Sequence, residues 1–418
     1  MKPIVLAFSG GLDTSWAIPY LAGTTGRPVA TVTVDTGGFD TAARADLAER
    51  AAALGAVHHR MLDARSEYFD RVLRFLIYGN VRRGGTYPLS VGAERSIQAR
   101  GVAIAARELG SSTVAHGSTA AGNDQVRFEV ALRTLEPEFE ILAPVRDFLV
   151  SRAAQVAFLE ERGLPVPAHG AAYSVNRGLW GTTIGGSETK SSEQPLPEAA
   201  WVATRGAFDS PLAPARHRLT FEQGVPVAFD GVALSPVALI EIVERVAAPF
   251  GIGRGIHLGE TILGIKGRVA YEAPAAEVLL AAHRELEKLV LTGRQLRIKE
   301  GIAAQYGELV HEGQHLEPVC RDLEAFLASS QQRVSGEVHL LLRPGALFVE
   351  GVSSPFSLLA ASRGAYGEAA GEWTAADARG FARLAALPGE LHARVGRQCA
   401  VSKREQKLET AATKGGPA

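Results

Sequence analysis

The chain has 418 residues, 46% hydrophobic and 21% charged, with a mean hydropathy of +0.04. At about 150 residues per domain this predicts two or three globular domains and excludes a long disordered chain. Lysine plus arginine number 44 against 45 aspartate plus glutamate, so no global basic field gathers phosphate backbones and nucleic acid is not an expected partner. The two cysteines, Cys320 and Cys399, exclude a disulfide framework, a CxxC redox pair and a four-thiolate zinc site. They fit a reducing compartment, and the expected location is the cytosol. The apolar stretch after Lys2 is short and runs into a glycine-rich motif with no export-type cleavage pattern. No stretch reaches the apolar length of a membrane helix, so no membrane partner is expected.

Ile4 to Phe8 reads as the first strand, followed by a glycine pair and Asp13-Thr14-Ser15, the composition of a tight turn that opens a helix. Pro19 falls inside that helix and predicts a bend. Val29 to Asp35 is a second strand, ending at Gly37-Gly38 on the same sheet edge as the first. Ala43 to Leu54 is an alanine-rich helix closed by Gly55. A weaker strand, Val57 to Leu62, precedes a helix from Arg95 to Leu109 that stops at Gly110. Thr113 to Ala115 is a short strand leading into His116-Gly117-Ser118-Thr119, and Ile141 to Val145 with Arg152 to Glu161 adds one more strand and helix. This alternation predicts an α/β domain with a largely parallel sheet over residues 1–167.

A boundary is expected near residues 165–172, and residues 168–374 read as an α+β domain. Gly185 to His217 is rich in Ser, Pro, Gly and Ala and reads as long connections. Leu219 to Phe229 predicts a hairpin, Leu239 to Val246 and Val278 to Leu291 predict helices, and Glu337 to Val349 gives two strands about Pro344-Gly345. A C-terminal helix is expected over residues 375–400, with a polar, unstructured tail over 401–418.

The chemistry concentrates in Ser9-Gly10-Gly11-Leu12-Asp13-Thr14-Ser15, between a strand and a helix. Two glycines let backbone N–H groups and the helix N-terminus converge on one anion, with hydroxyls at both flanks. The loop lacks the lysine and spacing of a Walker A motif, so it does not announce γ-phosphate transfer. Asp13 adds a carboxylate that a bare anion site would repel, and a divalent cation, Mg2+, between it and the phosphates reconciles the two. The plain alternative is a turn that needs glycines for geometry alone.

These residues resemble the pyrophosphatase loop of enzymes that cleave ATP between its α and β phosphates. Tyr87-Pro88-Leu89, His116-Gly117-Ser118-Thr119, Gly122 to Glu129 (GNDQVRFE), Leu179-Trp180-Gly181 and Gly264 to Arg268 with Tyr271-Glu272 narrow the resemblance to the argininosuccinate synthase family, in order from Ile4 to about Arg394. The resemblance implies a HUP-like nucleotide-binding domain, a synthetase domain and a C-terminal oligomerisation helix in a homotetramer. It implies that ATP adenylates the ureido oxygen of citrulline, pyrophosphate leaves, and aspartate displaces AMP. Ala7, Phe8 and the loop from Ser9 to Ser15 would contact ATP, together with Val34, His116 and Gly117. Thr119, Asn123 and Asp124 would hold aspartate, with Asp124 orienting its ammonium and helping it lose a proton; capping of the following helix is the alternative for Asp124. Arg127 would meet the acceptor carboxylate as a planar fork, and Tyr87, Asn123, Ser174, Thr183, Glu260 and Tyr271 would complete the acceptor site. Asp13, Asp124 and Arg127 are the expected catalytic residues, with Asp13 as the metal ligand.

The pattern breaks on the acceptor side. Gly92 stands where the family has serine, Ala121 where it has lysine, and Gly259 where it has glutamate, although Glu260 is adjacent. Asn176, Arg177 and Gly178 replace the family's acidic residues, and Thr182 and Thr183 replace an arginine and a serine. Two readings stand: citrulline remains the acceptor, or a paralogue condenses another ureido, carbamoyl or carboxyl compound with aspartate. A different class of reading is a silent adenine-nucleotide-binding protein, against which retention of Asp13, Thr119, Asn123, Asp124 and Arg127 argues.

Overall fold

Every residue from Val29 to Asp35 is buried, as a parallel sheet covered on both faces requires of a central strand. The structure, a computed structural model, describes residues 1–167, 173–362 and 371–413. Five strands, β1 (Ile4–Ala7), β2 (Val29–Asp35), β3 (His58–Asp63), β4 (Thr113–Ala115) and β5 (Glu140–Leu142), form a parallel sheet in the order β3-β2-β1-β4-β5. Side chains alternate between its faces: Ile4 and Leu6 join a core with Trp16, Leu47 and Leu159, while Val5 joins a second with Val102 and Val114. The order reverses at β1, and the loop after β1 therefore opens at the switch point where α/β sheets bind ligands.

Two antiparallel sheets follow. Strands β6 (Tyr173–Gly178), β7 (Gly181–Gly186), β11 (Arg254–Glu260) and β12 (Lys266–Glu272) pair in the order β11-β12-β7-β6. Strands β8 (Ala215–Glu222), β9 (Val225–Phe229), β10 (Val232–Ala233), β13 (Gly336–Arg343) and β14 (Ala346–Ser353) pair in the order β10-β9-β8-β13-β14. The long helix Pro274–Val290 contributes Val278, Leu279, Leu280 and Leu286 to the large core. The expected hairpins and helices of this half are present, whereas β6, β7, β11 and β12 carry no clear alternation and were not anticipated.

Residues Met1–Phe356 form one unit and Ser357–Ala418 another. The boundary expected near 165–172 falls largely outside the described residues. In the smaller unit a helix runs from Ala375 to Thr413, so it continues through the stretch expected to be an unstructured tail; residues 414–418 lie outside the described residues. Among the described residues, no helix is long and apolar enough to cross a membrane.

Candidate active site

The loop after β1 is set by close packing. Gly10 has φ +74, and a Cβ there would sit 2.3 Å from Leu47 Cδ2, so only glycine fits. Thr14 Oγ1 donates to the Gly11 carbonyl at 3.2 Å and lies 3.2 Å from Ser9 Oγ, and Arg50 Nη1 donates to the Gly10 carbonyl at 2.8 Å. The helix Leu12–Thr25 starts with no side chain capping its N-terminus. Its first-turn N–H groups and positive dipole end are thus left for an anion.

This loop forms one wall of a cleft of about 1100 Å³. Ala7, Phe8, Ser9, Gly11, Leu12, Asp13 and Thr14 line it, with Val34, His116 and Gly117. Gly10 and Ser15 do not; Ser15 is buried behind the loop, its Oγ without a partner among the described residues. Thr119, Asn123, Asp124 and Arg127 line the same cleft, as does Ser174 from β6. Asp13 Oδ1 accepts from Gln155 Nε2 at 2.9 Å, and the buried Gln155 leaves its own Oε1 without a partner among the described residues. One carboxylate facing a phosphate cradle suits Mg2+ shared with phosphates and water, and no three-residue metal cluster occurs among the described residues.

His116 stacks on Phe128 with centroids 5.7 Å apart, and its Nδ1 accepts from Ser118 N at 3.3 Å. Burial, then the Arg146 charge, push its pKa down to about 4, so the ring is neutral. Glu94, a wall residue that motif reading did not single out, accepts from Thr36, Arg95 and Gln98, and burial pushes its pKa up to about 7.

A smaller cleft of about 240 Å³ shares Arg95, Gly122, Asn123, Asp124, Arg127, Asn176 and Val269 with the larger one, so the two adjoin along these residues. Asp124 is the first residue of the helix Asp124–Leu135; its Oδ1 pairs with Arg127 Nη1 at 2.8 Å and its Oδ2 with Arg95 Nη2 at 3.0 Å. Burial alone would raise its pKa, but the two guanidiniums hold the carboxyl well below the ordinary carboxylate range. The two guanidiniums thus favour the ionised carboxylate, and Asp124 makes no side-chain cap. Asn123 Oδ1 accepts from Ile262 N at 2.9 Å, tying the turn between β11 and β12 to this wall. Arg127 is buried, with Nε donating to the His311 carbonyl at 2.7 Å and Nη2 to His311 Nδ1 at 3.1 Å.

Tyr87, Thr183 and Glu260 line the smaller cleft, while Tyr271 does not; its ring stands behind Tyr87 at 5.2 Å between centroids. Glu260 is exposed and pairs with Lys266 at 2.7 Å. Sequence reading missed Arg95, Gln155, His257 and His311, each brought in from a distant element. His257 stacks on Tyr87 at 5.5 Å, and His311 reaches in from the end of the helix Gly293–His311.

Residues 3–165 match the family model described as "Arginosuccinate synthase N-terminal HUP domain", and residues 173–392 match "Arginosuccinate synthase C-terminal domain". The protein named argininosuccinate synthase in Xanthomonas campestris pv. campestris is 40% identical over 401 residues, covering 95% of this chain and 99% of its own. That of Methanocaldococcus jannaschii is 38% identical over 354 residues, covering 85% and 89%, and that of Pyrobaculum aerophilum is 38% identical over 391 residues, covering 92% and 96%. With both domains matched in order and relatives about 40% identical over nearly the whole chain, this chain belongs to the argininosuccinate synthase family of ATP-dependent carbon–nitrogen ligases.

Proposed function

We propose that the chain adenylates the ureido oxygen of citrulline or a citrulline-like acceptor and then condenses it with L-aspartate, with Asp13, Asp124 and Arg127 as the central side chains. The observation that carries this reading is the wall that the two clefts share at Asn123, Asp124 and Arg127. A nucleotide with its phosphates on the glycine loop and an acceptor in the smaller pocket would then meet at this shared wall.

In the first step the ureido oxygen bonds to the α-phosphorus as the bond to pyrophosphate breaks. In the second, the aspartate nitrogen bonds to the ureido carbon, the bond from that carbon to the AMP oxygen breaks, and the nitrogen loses two protons in all. A urea carbon is a poor electrophile, and adenylation supplies its leaving group. The loop N–H groups and the helix N-terminus would stabilise charge on the departing pyrophosphate. Asp13, steadied by Gln155, would hold Mg2+, which supplies further charge neutralisation there. Thr119 and Asn123 would position aspartate, Asn123 through its amide NH2, since its carbonyl is engaged by Ile262. Asp124 serves by charge, fixing Arg95 and Arg127. Among the described residues Arg127 keeps one uncommitted N–H on each terminal nitrogen, a donor pair for the acceptor carboxylate. Holding three reactants in one cleft supplies much of the remaining rate.

Oligomeric state and location belong to the same proposal. Phe381, Leu384, Leu391 and Val395 are exposed on the helix Ala375–Thr413, and covering them with other copies supports the homotetramer. Cys320 and Cys399 are unpaired, in keeping with the cytosol.

The test is incubation with ATP, Mg2+, aspartate and ureido acceptors, with AMP and pyrophosphate measured. Both should form in equal amounts, and Asp13→Ala should abolish them while the fold survives by circular dichroism. Production of ADP and orthophosphate instead would overturn the reading.

A further inference from the structure

The smaller cleft is unbalanced in its hydrogen bonding. Two guanidiniums, those of Arg95 and Arg127, reach its wall. Arg268 also lines it, but its Nη1 donates to the carbonyls of Glu188, Ser191 and Gln194, which do not. Two carboxylates reach the wall, and both are engaged: Asp124 by Arg95 and Arg127, Glu260 by Lys266 from the exposed rim.

His311 adds a donor. Arginine can only donate, so the bond from Arg127 Nη2 makes His311 Nδ1 an acceptor and puts the ring proton on Nε2. That Nε2–H is buried and has no partner among the described residues. Together with the two uncommitted N–H groups of Arg127, it leaves the pocket rich in donors and short of a carboxylate for a cation.

Two of the glycines on the wall, Gly92 and Gly259, could not carry a side chain without rearrangement. A Cβ on Gly259 would stand 2.5 Å from His257 Nε2, because the His257 ring, stacked on Tyr87, occupies that side of β11. A Cβ on Gly92 would stand 3.1 Å from Arg127 Cζ. The ring and the guanidinium are thus fitted against bare backbone.

We propose that the acceptor of this pocket is a ureido or carbamoyl compound whose far end is anionic and which carries no ammonium group. The inference rests on the adenylation reading above and narrows its acceptor. A carboxylate would take the donors of Arg127 and His311; an α-ammonium beside them would be desolvated against like charge with no uncommitted carboxylate on the wall among the described residues.

The experiment compares three acceptors on the full chain with ATP, Mg2+ and aspartate: L-citrulline, δ-ureidovalerate (citrulline without its α-amino group) and n-butylurea (without the carboxylate as well). Pyrophosphate release should show a kcat/KM for δ-ureidovalerate roughly tenfold or more above that for L-citrulline, and n-butylurea should fall well below δ-ureidovalerate. A preference for L-citrulline, or equal use of the two, overturns the inference and leaves the adenylation reading standing. Release of neither AMP nor pyrophosphate with any of the three overturns both. In the double variant His257→Ala, Gly259→Glu, the ring is cleared and a carboxylate is set on the wall, so the preference should shift roughly tenfold or more toward L-citrulline. An unchanged ratio in the folded variant overturns the inference, and if that variant does not fold, the three-acceptor comparison on the unaltered chain decides.

Discussion

Asp13 shows what a single side chain needs before it can serve as a ligand. Its carboxylate faces the cleft, and Gln155, buried on the helix Arg152–Glu160, fixes one oxygen from behind. Removing that support should loosen metal binding and leave the fold standing. Gln155→Leu is expected to raise the Mg2+ concentration for half-maximal pyrophosphate release roughly 10- to 100-fold, measured by Mg2+ titration at saturating ATP. His116 carries a pH signature. It stays neutral in the fold down to about pH 4, whereas the unfolded chain takes up a proton from its ordinary 6.5 downward. Falling pH through that window therefore favours the unfolded state, by up to about 1.4 kcal/mol per pH unit. Urea denaturation between pH 7 and pH 5 should show a shallower loss of stability for His116→Gln than for the unaltered chain. The motif residues of this site were legible because they are contiguous. Gln155, 142 residues away from Asp13, left no local mark, and neither did His257 or His311, whose roles exist only through packing.

Among the elements, most of those in the first half could be read from the chain because β1 and β2 are largely apolar, buried runs beside helices with clear stops, whereas the helical stretch from Arg65 to Gly79 was not expected. The sheet of β6, β7, β11 and β12 could not, since glycines interrupt its strands and most residues of β6 are exposed. Its place is fixed from outside: Glu272 at the end of β12 accepts from Val202 N at 2.9 Å, Ala203 N at 3.1 Å and Thr204 N at 2.8 Å, anchoring the irregular stretch before β8. The helices of the second half are joined by a buried ion pair, Lys299 to Glu287 at 2.9 Å, with Asn80 and Gln331 also donating to Glu287. Lys299→Met strands a buried carboxylate and should cost about 3–5 kcal/mol in urea denaturation. The tail was misread at this scale because polar, lysine-rich composition is compatible with an exposed helix as well as with disorder.

At the scale of the whole molecule, the division at Phe356 separates a unit with all three sheets from one dominated by a single helix. Deleting residues 357–418 should leave a cooperative thermal transition and abolish self-association, read as a drop to monomer mass in sedimentation equilibrium. An unchanged mass would assign the contact between copies to the larger unit. Overall composition predicted the size of the chain, and the family motifs named many of the residues that line the larger cleft. What they left open was the balance of donors and acceptors in the smaller pocket, because that balance is a sum over several elements that no one stretch of chain contains.

The bond from Ile262 N to Asn123 Oδ1 spans 139 residues and joins the tip of a hairpin to the rim of the nucleotide cleft. A strut of this kind ties the wall that the two clefts share to the hairpin between β11 and β12. Any coupling carried through it would, by thermodynamic reciprocity, act equally in both directions.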